Sequence, residues 1–523
     1  MKPTFPDINS IYQLISNARD KYAYNIFLIS KNNLDETEEL TYSDLLILVN
    51  KFKVYFDING IPRGQKISVV YHNSGILAIL FLCIIASGRV FVPLNPNSTT
   101  FEMEYILEDS DSYTLFDGIN ISKGFSKKVQ DKINVIEIDN LNHLISFLEK
   151  IEAKNVDNVI NPNTEAEIVY TSGSTGRPKG VVLTHKNLLA DSYAIFNLFS
   201  FDERDKFLTI CPLFHNSGQI STTLGAIWAG ATTTPVRAEF GLINFWNYIS
   251  LYKITWTLGM PTHINFLLER QILKNNYQQS INNLKGIFCG GAKLEIEKQL
   301  QFENIFKTSI YTNYGLTETT SFATCTPLNM SQKALGSVGL PLFINEIKIV
   351  NSENSICKVN EQGEIFVKGI NLFNHYINKQ EITNSKLIEG WFMTGDLGFF
   401  NEEGYLFIVD RIDNMILVGG ENVYPADIEN HVFALENVAE AIITSIPHNL
   451  LGNEIVLVYR LMEGKNADSN KWIQALSKVV VKFKLPTKFL NIEELNLSEI
   501  PKASNGKILR HNIKELINEY FNI

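Results

Sequence analysis

The segment YTSGSTGRPKGVVLTH, residues 170–185, concentrates more chemistry than any other part of the chain. An apolar run, EIVY (167–170), leads into Thr171, Ser172, Gly173, Ser174, Thr175 and Gly176, with Lys179 and Gly180 following. Glycines let successive backbone N–H groups converge on an anion, hydroxyls add donors, and a lysine supplies a compact positive charge. That combination suits a polyphosphate. The spacing is not G-x-x-x-x-G-K-[ST], which excludes a Walker-type loop. In YGLTETT (314–320), Thr317 offers a neutral donor for a phosphate oxygen and Glu318 a hard carboxylate for Mg²⁺. A Thr-Glu pair also starts helices, and the phosphate loop turns the reading toward a ligand. Tyr314, after SIYTN (309–313), is either a core tyrosine or a ring on which a base stacks. Gly290, Gly291 and Ala292 follow an apolar run in LKGIFCGGAKL, where missing side chains let a flat ligand approach backbone, although a tight turn has the same composition. Asp396 in GWFMTGDLG could accept hydrogen bonds from both hydroxyls of a ribose; turn chemistry is the plainer alternative. The chain has no HExxH, no Cys/His cluster and no G-x-S-x-G, which argues against a metallohydrolase or a serine hydrolase.

The elements that must hold these residues alternate in kind. Strand-length apolar runs precede longer segments of helical period: QKISVVY (65–71) before GILAILFLCIIA (75–86), ITWTLG (254–259) before HINFLLERQIL (263–273), and LKGIFCG (284–290) before KLEIEKQLQFENIF (293–306). This rhythm predicts an α/β fold with a mainly parallel sheet, whose ligands sit beyond the carboxyl ends of the strands. From about residue 411 the texture changes, with AEAIITSIP (439–447) and EIVLVYRLM (454–462) near the helical PADIENHVFAL (425–435). A large N-terminal domain over 1–411 and a small, mobile α+β domain over 412–523 are expected. The 523 residues are 45% apolar and 20% charged, as a folded chain with a large core requires. A net charge of −10 opposes bulk binding to nucleic acid or to an anionic membrane. Five scattered cysteines with no CxxC pair suit a reducing compartment. The run at 75–86 is too short to span a bilayer, and MKPTFPDINS carries no signal-peptide core. A cytoplasmic protein without transmembrane segments is expected.

YTSGSTGRPKG resembles the signature loop of the adenylate-forming enzymes: acyl-CoA synthetases, peptide-synthetase adenylation domains and firefly luciferase. LTYSDL (40–45), VFVPLNP (90–96), YGLTETT (314–320), GWFMTGDLG (390–398), VDRIDNMILVGGENVYP (409–425) and PKASNGKILR (501–510) follow in the family's order, so the resemblance covers nearly the whole chain. It implies that Thr171–Gly176 and Lys179 hold the phosphates of ATP, and that Thr317 and Glu318 serve phosphate and Mg²⁺. It also implies that Gly290, Gly291, Ala292, Asn313 and Tyr314 line the adenine, and that Asp396 and Arg411 hold the ribose. Lys507, after the glycine of PKASNGK, is implied to bridge the carboxylate and the α-phosphate. Asp413 falls where the family has its hinge.

For the acid, PLFHNSGQ (212–219) resembles the segment bordering the acyl pocket. Amino-acid-activating relatives have an aspartate about where His215 stands, and a buried unpaired ammonium would be costly. The resemblance therefore implies a fatty or aryl acid, with His215 as the gate; GQISTTLGAIWAG (218–230) is apolar and small enough to fit. In GGENVYPADIE (419–429), Gly419 and Gly420 offer a narrow, backbone-walled channel for a pantetheine arm. FKLPTK (483–488) matches a CoA-contacting stretch only at Phe483 and Lys484. The expected reaction is ATP-dependent formation of acyl-AMP, followed by transfer to the thiol of CoA. A carrier-protein pantetheine is the alternative acceptor.

Overall fold

Ile76 to Ala86 contain no polar side chain, and such a run is stable only where every face is covered. The Gly75–Ala86 helix is buried along its whole length. It packs under Lys66–Val70 and Val90–Leu94, strands of β-branched and aromatic residues buried on both faces, as parallel sheets require. The computed structural model describes residues 5–31, 37–153, 159–171, 178–269, 283–331, 334–432, 435, 437–502 and 508–521. These fall into two compact units, residues 1–347 with 367–392, and residues 348–366 with 393–523.

Two sheets organise the first unit. A seven-stranded sheet runs in the order His375–Tyr376, Lys179–Thr184, Glu165–Thr171, Val90–Leu94, Lys66–Val70, Thr114–Asp117, Asn134–Ile136. Its last five strands are parallel, and the first two are antiparallel additions. A nine-stranded sheet carries Ser309–Tyr314, Gly286–Cys289, Trp256–Gly259, Lys206–Thr209, Thr232–Pro235 and Ile26–Lys31 as a parallel centre. The helices expected at 263–273 and 293–306 appear as Pro261–Glu269 and Ile296–Phe306; residues 270–282 lie outside the described residues.

The second unit holds an α+β sandwich. Val438–His448 and Gly452–Leu461 form an antiparallel pair, and Lys488–Asn491 joins it in parallel. Side chains alternate between faces with the strand's period of two. Ala441, Ile443, Leu457 and Tyr459 meet Ile428 and Val432 of the Pro425–Val432 helix and Trp472 of the Ser469–Leu476 helix. Ile442, Val456 and Val458 meet Ile513 and Ile517 of the Arg510–Phe521 helix. The α/β class with a small α+β portion is therefore observed.

Cys83, Cys211, Cys289 and Cys325 are buried free thiols, and Cys357 is partly buried. Burial pushes the Cys211 thiol up to about 12 and those of Cys289 and Cys325 in the same direction. Among the described residues, no helix is long and apolar enough to cross a membrane.

Candidate active site

Glu165–Thr171 and Lys179–Thr184 pair antiparallel, with Thr171 opposite Lys179, so the signature segment connects two strands of one sheet. Ser172, Gly173, Ser174, Thr175 and Gly176 lie outside the described residues. Lys179 extends over the ring of Tyr376, its Nζ 5.0 Å from the centroid, a cation–π geometry. Tyr376 arrives there because His375–Tyr376 pairs with Val181 and Val182 of the Lys179 strand. Its hydroxyl donates to Glu318 Oε1 at 2.5 Å. Lys179 and Glu318, 139 positions apart, are thus linked through one tyrosine that motif reading did not single out.

Thr317–Thr319 forms a single 3₁₀ turn whose surroundings are fixed by buried polar groups. Thr320, at φ +63, donates its hydroxyl to Asn371 O at 2.7 Å. Asn371 Nδ2 in turn donates to Thr319 O and Phe322 O, and Asp191 accepts from Phe322 N. A Cβ on Gly315 would lie 1.7 Å from Ser321 O, so only glycine permits this crossing. Glu318 is buried and Thr317 partly open. No group of three His, Cys, Asp or Glu among the described residues could cage a metal. A lone buried carboxylate fits a Mg²⁺ that brings its other ligands as phosphate oxygens and water.

Gly286–Cys289 and Ser309–Tyr314 run parallel with Cys289 beside Thr312, which sets Gly290 next to Asn313. A Cβ on Gly290 would fall 2.0 Å from Asn313 Oδ1, so the amide occupies the space that a side chain would fill. Among the described residues Asn313 Nδ2 is buried without a hydrogen-bond partner, a donor that a heterocycle could use. Gly291 and Ala292 are exposed and Tyr314 is partly buried.

In the second unit, Asp396 and Arg411 face one another across the Trp391–Phe400 and Leu406–Arg411 hairpin. Arg411 Nη1 lies 2.9 Å from the buried Asp396 Oδ1, and its Nη2 lies 3.9 Å from the exposed Asp413. Asp410, not anticipated from sequence, holds the adjoining turn: Oδ1 accepts from Arg411 N and Asn414 Nδ2, and Oδ2 from Ala426 N at the start of the Pro425–Val432 helix. Gly419 and Gly420, at φ +60 and +89, make the two-residue turn between Ile416–Val418 and Glu421–Val423. A Cβ at Gly420 would meet nothing within 4 Å. Lys507 lies outside the described residues. Its flanks are held by a bridge between Lys502 and Ile508 and by ion pairs of Lys502 with Glu440 and of Arg510 with Glu429.

His215 sits at the end of a tight turn in the first unit, against Phe214 at 4.7 Å between ring centroids. Its Nε2 is buried without a partner among the described residues, and burial lowers the imidazole to about 4, so the ring is neutral.

A strand-borne lysine linked through one tyrosine to a buried carboxylate defines a protein that handles a phosphate ester. Residues 15–377 match the family of AMP-binding enzymes. The chain belongs to that family. It is 27% identical over 482 residues to a 2-succinylbenzoate–CoA ligase of Bacillus subtilis (strain 168), covering 92% of this chain and 94% of that one. A long-chain-fatty-acid–CoA ligase of the same organism is 27% identical over 91% of this chain and 90% of its own. Among solved structures, the O-succinylbenzoate coenzyme A synthetase of Bacillus subtilis with ATP and magnesium superposes with TM-score 0.82 at 26% identity, covering 96% of this chain and 99% of that one.

Proposed function

We propose that this chain is an AMP-forming acid–CoA ligase acting on a neutral-tailed fatty or aryl acid. A carboxylate oxygen attacks the α-phosphorus of MgATP, the bond to the bridging oxygen breaks, and pyrophosphate leaves. The thiol of CoA then attacks the acyl carbon, its proton passing to solvent, and AMP departs. The observation that carries this reading is the linked set Lys179–Tyr376–Glu318 at the end of the signature strand pair. A cation and a metal-binding carboxylate held there offset the charge that builds on the phosphate oxygens. Ser172–Gly176 supply backbone and hydroxyl donors, and Thr317 adds another. Adenine lies along Gly290–Ala292 against Tyr314, with Asn313 as a polar contact. Asp396 accepts from the ribose and Arg411, its ion-pair partner, shares that contact. Lys507 serves adenylation, and the chain beyond residue 411 rotates about Asp413 between half-reactions, carrying Gly419–Gly420 to the pantetheine. A carrier-protein pantetheine is the second acceptor reading, favoured by the weak match of FKLPTK to a CoA-contacting stretch. The reaction is placed in the cytoplasm, where ATP and CoA are plentiful.

The test is exchange of labelled pyrophosphate into ATP with octanoate, palmitate, benzoate, 2-succinylbenzoate, indole-3-acetate and the proteinogenic amino acids, followed by thioester formation with CoA. Exchange with at least one fatty or aryl acid and with no amino acid is expected. Exchange driven only by an amino acid overturns the substrate class, and acyl-AMP that CoA never consumes overturns the acceptor.

A further inference from the structure

The turn Cys211–His215 is gripped from two sides by buried polar side chains belonging to other elements. On one side, Asn73 Oδ1 accepts from Leu213 N at 3.0 Å, while its Nδ2 donates to Thr209 O and Val236 O at 2.8 and 2.9 Å. On the other stands Glu167, wholly buried, on the strand that runs into the phosphate-binding segment. Glu167 Oε1 accepts from Gln219 Nε2 at 2.7 Å and Oε2 from Asn216 Nδ2 at 3.0 Å. Gln219 Nε2 also donates to Leu213 O at 2.7 Å, so one amide ties the carboxylate to the backbone of the turn. Gln219 opens a π-helical stretch, Gln219–Leu224, a rare geometry that recurs at functional sites.

Among the described residues the imidazole of His215 has no such anchor, its Nε2 being buried and unpartnered. Its place follows from the backbone of the turn. We infer that Glu167 is a positioning residue which, through Asn216 and Gln219, fixes the His215 turn against the phosphate-binding strand, so that the acid is registered to the α-phosphate. This rests on the proposed function, in which His215 borders the acid. A wholly buried carboxyl group costs desolvation, which pushes Glu167 up to about 8. An apolar residue would fill the site at less cost if filling were all it did. The two reactants approach from separate segments, and misplacement by about 1 Å costs on the order of a hundredfold in rate. One acid residue joining those segments meets that requirement.

Glu167→Leu, Gln219→Leu and Glu167→Gln test the inference by two readouts. In exchange assays with the fastest acid of the panel, both leucine variants should raise KM for the acid about tenfold or more and leave KM for ATP within about twofold. Glu167→Gln keeps one oxygen to accept from Gln219 Nε2 and offers its NH₂ to Asn216, whose amide turns to accept, and should stay within about threefold of the parent. Independently of activity, diethyl pyrocarbonate should modify His215 at least about fivefold faster in the leucine variants. Buried His185 should stay protected, because a loosened turn exposes only the residue it carries. Unchanged His215 reactivity, or His185 rising in step with it, overturns the clamp, as does an equal change in both KM values. If no acid supports exchange in the parent, the proposed function fails while the modification rates still decide the clamp.

Discussion

Tyr376 shows how much one hydroxyl does at the phosphate end of the site. Its ring lies under the Lys179 ammonium and its oxygen donates to Glu318, so one side chain touches both the cation and the carboxylate. A hydrogen bond to a charged group contributes about 1.5–3 kcal/mol. Tyr376→Phe keeps the ring and loses the bond. It should therefore lower kcat/KM for MgATP by roughly ten- to hundredfold, at about 1.4 kcal/mol per decade. Raising the Mg²⁺ concentration should recover part of the loss, because Glu318 is the group set free. Steady-state kinetics at several Mg²⁺ concentrations, with thermal unfolding as a control, measure both. An unchanged kcat/KM in a folded variant would remove the hydroxyl from the site.

The elements were legible where one segment carries its own pattern. The 75–86 run is the helix Gly75–Ala86, QKISVVY gives Lys66–Val70, and AEAIITSIP gives Val438–His448, because local periodicity reports burial directly. Glu318 and Lys179 stood out through the chemistry of their neighbours in sequence. Tyr376 and Glu167 did not, because their partners lie 58 and 52 positions away and pairing at that distance leaves no period to read. The hairpin at Gly419–Gly420 lies between these cases: the glycine pair is visible in sequence, but two reasons for it compete. Both residues have positive φ, where an L side chain costs about 1–2 kcal/mol. A Cβ at Gly420 meets no described atom within 4 Å, so backbone strain is the first local effect of Gly420→Leu. If the pantetheine passes this turn, Gly420→Leu should slow consumption of acyl-AMP by CoA at least about fivefold while acyl-AMP still forms. Gly420→Asn, which tolerates positive φ better, should cost less stability than leucine. Single-turnover measurement of each half-reaction checks this. Equal losses in both, following the melting temperature, would leave turn geometry as the whole account of the glycine.

At the scale of the molecule, buried ionisable groups give stability a maximum in pH. Burial lowers His185, His215 and His263 to about 4, and the Nδ1 atoms of His185 and His263 accept backbone N–H groups. The unfolded chain binds protons to these rings below about 6.5 and the folded chain does not. Stability is therefore lost as pH falls from 6.5 toward 4, by up to about 1.4 kcal/mol per group per pH unit. Glu167, held at about 8, has the opposite sign, and Asp191 is displaced in the same direction by burial. The unfolded carboxyls ionise above about 4.5 while the folded Glu167 stays protonated to about 8, so stability falls across that window. Three histidines outweigh the carboxyls below 6.5, and the carboxyls act alone above it. Melting temperature should peak between about pH 6 and 7, and Glu167→Gln should flatten the descent between 6.5 and 8. Thermal unfolding from pH 4 to 9 measures the profile; a descent as steep in Glu167→Gln as in the parent would show that Glu167 does not contribute to it.

The state of the cysteines acquires a meaning beside the proposed chemistry. An acyl-adenylate is an electrophile aimed at a thiol, and a protein that makes one is itself within reach of acylation. Cys211 opens the His215 turn and Cys289 adjoins Gly290, yet both are buried. Thiolate is the nucleophilic form, and with Cys211 at about 12 roughly one thiol in 10⁵ is ionised at neutral pH. Cys211 and Cys289 are therefore poor nucleophiles beside the thiol that the acceptor brings.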